Sequence, residues 1–290
     1  MQEKIPVSVL IRTKNEEANI FDCLESVKWA QEIIIVDSYS QDKTLTIAAN
    51  YTDKIYQYDY NPDLPKTGWS LETPRFSFDW ILAIDADERV TAEFRDELDL
   101  IVNSSGNNYA GYYVRFNYWF LGKFLKFGDP VKKVILFKKS KSHFEKFNTS
   151  NNEASAYLEC GHENLIVEGK IAYAKNRIVH VDQRSLHFYF DRHNRYSTWE
   201  ADLISNKLYI KRIGGQAKLG GNLLELRRLI KEIFLTLPFK PMFYFIYAYI
   251  FRLGFMDGYP GLCYNLCKAI YAYQIGLKVH ETKIRKMNNK

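Results

Sequence analysis

Three short runs, VSVLI (7–11), IIIV (33–36) and WILAI (80–84), are almost wholly apolar. A strand with one wet face alternates apolar and polar residues, whereas a strand buried on both faces does not. Between the first two runs lies EEANIFDCLESVKWA (16–30), which places Ile20, Leu24 and Val27 on one face of a helix. KIYQY (54–58) reads as a further strand, and Thr91 opens a helix over AEFRDELDLIV. Strands that alternate with helices imply βαβ units and a mostly parallel sheet with helices on both faces. Segments 110–117 and 133–137 read as more strands, of mixed direction.

From about residue 185 the pattern is helical, with helices expected at 185–206, 222–236, 241–252 and 261–279. Charge divides the chain similarly. Residues 203–290 hold 15 Lys and Arg against 4 acids, while residues 1–202 hold 25 against 30. A basic, aromatic tail suits a polyanion, and the interleaving of Lys and Arg with Tyr and Phe favours an anionic membrane surface over nucleic acid. PMFYFIYAYIF (241–251) is only 11 residues long, short of the roughly 20 that span a bilayer. It can lie in the interface or pack on the body as ordinary core. The four cysteines show no paired metal spacing, and MQEKIPVSVLIRTKNEE has no long apolar run before a cleavage site. A cytosolic, reduced protein is expected.

Polar clusters follow the apolar runs: RTKNEE (12–17), Asp37-Ser38, and Asp85-Ala-Asp87-Glu88. Ligands of open parallel sheets bind beyond the carboxyl ends of the strands, so the three clusters are expected on one rim. Ser40 in SYSQDKT is placed to cap the helix that follows it. Two carboxylates flanking one residue at a bend can face one cation, and Mg²⁺ or Mn²⁺ prefers such oxygen donors and bridges to phosphate. Acids at a helix start also complement its dipole, which accounts for Glu88 better than for Asp85. A haloacid-dehalogenase-type phosphatase carries Asp-x-Asp-x-Thr after a strand, and no Thr follows Asp87 at that spacing. That reading is set aside.

VSVLIRTKNEEANIFDCLESVKWAQEIIIVDSYSQDKT followed by WILAIDADERV resembles a family 2 glycosyltransferase of the GT-A fold. The likeness is strongest to bacterial enzymes that build lipopolysaccharide core, O-antigen or exopolysaccharide. It covers about residues 5–200, and HNRYSTWEA (193–201) and RLGFMDGYPG (252–261) resemble segments of the same subgroup. The resemblance implies a catalytic domain over 1–200, with a nucleotide-sugar half to about 105 and an acceptor half beyond it. A basic helical extension follows over 201–290. It also implies that Thr13, Asn15 and Glu16 line a nucleoside pocket and that Asp37 accepts from the base, UDP being the default. Asp85 would face ribose and metal, and Asp87 would hold Mg²⁺ or Mn²⁺ on the diphosphate.

The resemblance further implies inversion at the anomeric carbon with a carboxylate base, and ECGHENLIVEG (159–169), whose His-Glu pair is similar to the subgroup's segment, offers Glu163, or Glu159 if the register differs. His162 would assist as a hydrogen-bonding neighbour or a third metal contact, or is simply structural. Arg195 would touch the diphosphate, or pairs with Asp191 or Glu200 along its helix. NYWFLGKFLKFG (117–128) suits an acceptor loop or a core strand with a basic edge. NPDLPKTGWSLETPRFSFDW (61–80) lacks the Gln-x-Asn or Lys-Asn pair of many relatives, so no contact carries over from there.

The expected activity is transfer of a sugar from a nucleotide-diphosphate donor to a lipid-linked or cell-surface glycan, on the inner face of the cytoplasmic membrane. A sugar nucleotidyltransferase would need a glycine-rich loop after the first strand, which RTKNEE lacks. An inactive membrane-associated scaffold would have no need of Asp37, Asp85 and Asp87.

Overall fold

The computed structural model describes residues 4–59, 66–128, 131–144, 165–205 and 239–288. They fall into two units: Met1–Phe124 with Pro130–Gln183, and Leu125–Asp129 with Arg184–Lys290.

In the first unit the leading apolar runs become β1 (Ile5–Thr13), β2 (Ala30–Asp37) and β4 (Trp80–Asp85), with the short β3 (Ile55–Gln57) between the last two in sequence. β1 lies between β2 and β4 and is parallel to both. This central position explains why Val7, Val9 and Ile11 are wholly buried. Helices α1 (Ile20–Val27), α2 (Thr44–Ala48), α3 (Lys66–Glu72) and α4 (Ala92–Asn103) intervene. The remaining strands of the main sheet are β5 (Glu88–Arg89), β6 (Tyr109–Phe120), β7 (Lys123–Leu125), β8 (Lys132–Lys138) and β11 (Lys170–His180). The strand order is β3-β2-β1-β4-β8-β6-β11-β5, with β7 beside β6. β8 is antiparallel to both β4 and β6, and β11 is parallel to β6. Two reversals cancel, so β4, β6 and β11 all end on one rim. β9 (Ser142–Phe144) and β10 (Leu165–Val167) form a separate two-stranded sheet.

Side-chain spacing assigns the faces. Ile20, Cys23, Leu24 and Val27 of α1, with Phe94 and Leu98 of α4, pack on Val9, Ile11, Leu82 and Ile84. Leu71 of α3 and the β9–β10 pair cover Leu10, Ile34, Ile81 and Phe137 on the other face. Fully burying each such side chain stabilises by about 1.5–3 kcal/mol. α4 starts where the sequence places it, with Thr91 Oγ1 accepting from Phe94 N at 3.2 Å. Ser40 does not cap α2. Asp42 Oδ1 accepts from Thr44 N at 3.0 Å instead, because the Ser40 hydroxyl is taken by Asp37.

The second unit contains α5 (Leu186–Ser205), α6 (Lys240–Ile246) and α7 (Gly258–Asn288), and a π-helical turn at Tyr247–Phe251 and a 3₁₀ turn at Gly254–Asp257 lie between α6 and α7. The expected helix at 222–236 lies outside the described residues. RLGFMDGYPG forms the junction before α7. Asp257 is buried and accepts from Lys126 N at 3.0 Å and Phe127 N at 2.9 Å. Gly261 has no room for a side chain, since a Cβ there would lie 2.4 Å from Gly254 O. HNRYSTWEA packs on α7, where Lys278 Nζ donates to Asn194 Oδ1 at 2.7 Å and Ser197 Oγ at 2.8 Å. Among the described residues no helix is long and apolar enough to cross a membrane. Several large apolar side chains of this unit, among them Phe239, Phe251 and Tyr259, are more than 70% exposed.

At the amino end of β2, Glu32 is buried and paired with Lys54 and the Ser8 hydroxyl. It also accepts from Ser77 N at 2.8 Å and Ser77 Oγ at 2.5 Å. Burial alone raises its pKa, but these partners outweigh it and hold the carboxyl below the ordinary 4.5. A depressed pKa gives stability that is present above that value and lost as pH falls through the folded pKa. E32Q is therefore expected to cost about 1–3 kcal/mol at neutral pH. The gap to the wild type in urea unfolding should narrow as pH falls below the ordinary glutamate range, and a gap that stays constant contradicts this account.

Candidate active site

β1 sets the site. Its register puts Thr13 beside Asp37 on one side and Arg12 beside Asp85 on the other. Asp37 is wholly buried. Its Oδ1 accepts from Thr13 Oγ1 at 2.8 Å and Ser40 Oγ at 2.5 Å, and its Oδ2 from Ser40 N at 2.8 Å. The loops after β1 and β2 are laced together by the RTKNEE residues. Asn15 N donates to Ser40 Oγ at 2.8 Å, and Asn15 Oδ1 accepts from Gln41 N at 2.8 Å. Glu16 N donates to Thr44 Oγ1 at 2.8 Å, while its carboxylate accepts from Asn19 Nδ2 at 2.9 Å. Asn15 has φ 55°, a left-handed conformation that Asn tolerates well. Thr13, Asn15, Glu16 and Asp37 thus form one hydrogen-bonded wall.

Lys66, the first residue of α3, reaches the same place. Its Nζ donates to Thr13 O at 2.6 Å. Burial, helped by Arg12, lowers its pKa to about 8 against the pull of Asp37 and Asp85. Nothing in its sequence neighbourhood marked it out.

At the end of β4 the crowded acids are met by cations. Arg12 Nη2 lies 3.0 Å from Asp85 Oδ1, and Lys133 Nζ lies 3.5 Å from Asp85 Oδ2 and 3.1 Å from Glu88 Oε1. Glu88 Oε2 accepts from Asp85 N at 3.0 Å, which closes the bend. Lys133 gets there because β8 is antiparallel and presents its first residues to the rim on which β4 ends. Burial would raise the Asp85 carboxyl, but Arg12 and Lys133 hold it below the usual range. Glu88 goes the other way. Burial, with Asp85 and Asp87 nearby, raises it despite Lys133. The repulsion is thereby placed on the innermost acid, and Asp85 stays ionised.

Asp87 pairs with a different group. Its Oδ2 is 3.2 Å from His180 Nε2 at the end of β11, and His180 stacks on Tyr118 with centroids 4.7 Å apart. Burial lowers the imidazole pKa, yet Asp87 raises it more, so the net shift is upward. Asp87 O also accepts from Val181 N at 2.8 Å. Among the described residues no three His, Cys, Asp or Glu side chains are gathered closely enough to hold a metal ion. His162, Glu163 and Glu159 lie outside the described residues. Arg195 belongs to the second unit, where Nη1 is 3.1 Å from Asp191 Oδ2.

Residues 8–149 match the model of the family described as Glycosyl transferase family 2. The chain carries a family 2 glycosyltransferase domain. The match takes in Thr13, Asp37, Lys66, Asp85, Asp87 and Lys133 and ends before β11. His180 lies outside the matched span. Similarity to whole proteins extends further. The lipopolysaccharide core biosynthesis glycosyltransferase LpsC of Rhizobium meliloti is 26% identical over 294 residues, covering 97% of this chain and 94% of that protein. An uncharacterised glycosyltransferase of Rickettsia typhi is 27% identical over 288 residues, covering 97% of this chain and 89% of that one. Among solved structures, glucosyl-3-phosphoglycerate synthase from Mycobacterium tuberculosis, in complex with Mn²⁺, UDP and glucosyl-3-phosphoglycerate, aligns over 73% of this chain and 81% of that chain. The sequence identity there is 14% and the TM-score 0.41.

Removing the Lys133 charge leaves two neighbouring carboxylates to repel each other. K133M is expected to lower stability by about 1–3 kcal/mol, below the cost of breaking a fully buried pair because solvent screens part of it. Adding E88Q should restore part of the loss in a double-mutant cycle of urea unfolding. Strictly additive losses contradict the coupling.

Proposed function

We propose that this chain is an inverting glycosyltransferase that moves a sugar from a nucleotide-diphosphate donor, UDP by preference, to a hydroxyl of a lipid-linked or cell-surface glycan. The observation that carries this reading is the convergence of Thr13, Asp37, Lys66, Asp85 and Asp87 on one sheet rim within a family 2 domain. The name of the Rhizobium relative supports an acceptor of the lipopolysaccharide core class.

Each residue has a role its chemistry fits. Asp37 has an anchored carboxylate that accepts from the N3–H of uracil, with Thr13, Asn15 and Glu16 shaping the nucleoside wall. Lys66 and Arg12 supply positive charge where a donor phosphate would come to rest, and Arg195 is a further candidate for the diphosphate. Carboxylates with an adjacent imidazole suit Mg²⁺ or Mn²⁺, whose shell substrate phosphates and water complete. Asp87 and the part-exposed Asp85 would hold such an ion, with His180 beside them. When bound, the ion neutralises charge that develops on the departing diphosphate. Glu163 is the proposed base that takes the acceptor proton, with His162 as its neighbour. The exposed apolar residues and basic charge of the second unit support peripheral attachment to an anionic membrane on its cytoplasmic face.

D87N is expected to lower turnover of a nucleotide sugar with Mn²⁺ by about 10²-fold or more while leaving the fold intact. Unchanged turnover would remove the metal assignment. Lys66 makes a pH-dependent claim. It is charged below a pKa of about 8, so UDP should bind more weakly as pH rises through that value. The K66M variant should bind about tenfold more weakly at neutral pH and show a flat profile, as read by calorimetry. A wild-type profile that is already flat contradicts the role.

A further inference from the structure

The face of the first unit covered elsewhere by α3 and the β9–β10 pair carries an unusual row on β8, β6 and β11. Arg115 on β6 is paired in register with Lys132 of β8 on one side and Arg177 of β11 on the other. Three cations thus stand side by side on neighbouring strands, about 5 Å apart along the hydrogen-bonding direction. Among the described residues none of the three has a carboxylate at ion-pair distance. Their polar partners are neutral: Arg115 Nη2 donates to Lys175 O at 3.3 Å, Arg177 Nη1 to Asn117 Oδ1 at 2.8 Å, and Lys132 Nζ to Tyr173 Oη at 3.2 Å. Like charges directly opposite on a sheet are destabilising. Burial and the neighbouring Arg115 both push the Arg177 pKa down.

The arrangement is built rather than incidental. β11 carries a bulge, four residues from Tyr173 to Arg177 against two from Tyr113 to Arg115 on β6. α4 fastens it, for Glu97 accepts from Lys175 N at 2.7 Å and Asn176 N at 2.8 Å. A bulge re-aims side chains at functional places, and this one holds Arg177 level with Arg115. One step back along the same strands, Tyr113 and Tyr173 stack with centroids 5.1 Å apart and planes 23° from parallel. Lys132 Nζ sits 5.1 Å from the Tyr173 ring centroid, and Tyr173 is 57% exposed.

We propose that this face is a subsite for an anionic saccharide, with a sugar ring on the Tyr113–Tyr173 stack and its phosphate or carboxylate on Lys132, Arg115 and Arg177. A local rule broken with no compensating carboxylate among the described residues marks a functional place, and such a row of cations selects an anion. The row lies about 10 Å, three residues of strand, from His180 at the rim. Arg177 and His180 face opposite sides of the sheet, so a glycan seated here must pass over the carboxyl rim to meet the catalytic end of the same strands. This deepens the transferase reading, on which it rests, by assigning a charged acceptor.

The test uses the full chain saturated with UDP and Mn²⁺ and measures binding of glucose 6-phosphate, glucose and inorganic phosphate by calorimetry. Glucose 6-phosphate is expected to bind more tightly than either fragment. R115Q/R177Q should weaken it about tenfold, R115K/R177K should retain it, and Y173A should weaken it while leaving inorganic phosphate unchanged. R115Q alone should leave thermal stability equal or higher, since it relieves repulsion. The proposal is overturned if R115Q/R177Q binds glucose 6-phosphate like the wild type, if glucose binds equally well, if an oligothymidylate competes for the row more tightly, or if R115Q melts lower. The two readings separate cleanly. Nucleotide-sugar hydrolysis together with glucose 6-phosphate binding unchanged in R115Q/R177Q removes the subsite alone, and binding through these residues without hydrolysis of any nucleotide sugar removes the transferase.

Discussion

The parallel pairing of β1 with β2 and β4 is the constraint on which the site depends. Each strand is buried on both faces, so a slip of one residue would turn every side chain to the opposite face. The observed register sets Thr13 beside Asp37 and Arg12 beside Asp85. Those two couplings define the two halves of the site, one built from neutral hydrogen bonds and the other from ion pairs. The far end of β2 is fixed separately by the Glu32 cluster, so stability and chemistry occupy opposite ends of the same strand.

Acids at the end of a buried strand are tolerable only if their charge is answered or shared out. The protein does both. Lys133 and Arg12 flank Asp85, and Glu88 absorbs the remaining repulsion as a raised pKa. Asp87 is paired with His180. The protein's own cations therefore hold the bend in shape, and a divalent ion is not needed to explain why it folds.

Much of this was legible in the chain. Apolar runs that stop abruptly at an acid located Asp37 and Asp85 at strand ends, and their shared rim followed from parallel topology. Lys66, Lys133 and His180 were not legible. Each stands in a locally ordinary stretch, and only pairings across 45 to 95 residues of sequence bring it to the rim. Ser40 was read as a helix cap because Ser favours that place. The stronger acceptor, the buried Asp37 carboxylate, came from the preceding strand end and took the hydroxyl. HNRYSTWEA and RLGFMDGYPG stood out as motifs, and in the structure they serve packing around α7.

Lys132 and Lys133 are neighbours on one strand whose side chains go to opposite sides of the sheet, one over Tyr173 and the other to Asp85 and Glu88. A single inserted or deleted residue in β8 would exchange them, leaving a lysine for each face but the wrong spacing on both. The strand acts as a common axle for the cation row on one face and the ion-paired bend on the other. Selection on either one constrains the length of the other, and neither lysine can drift in position alone.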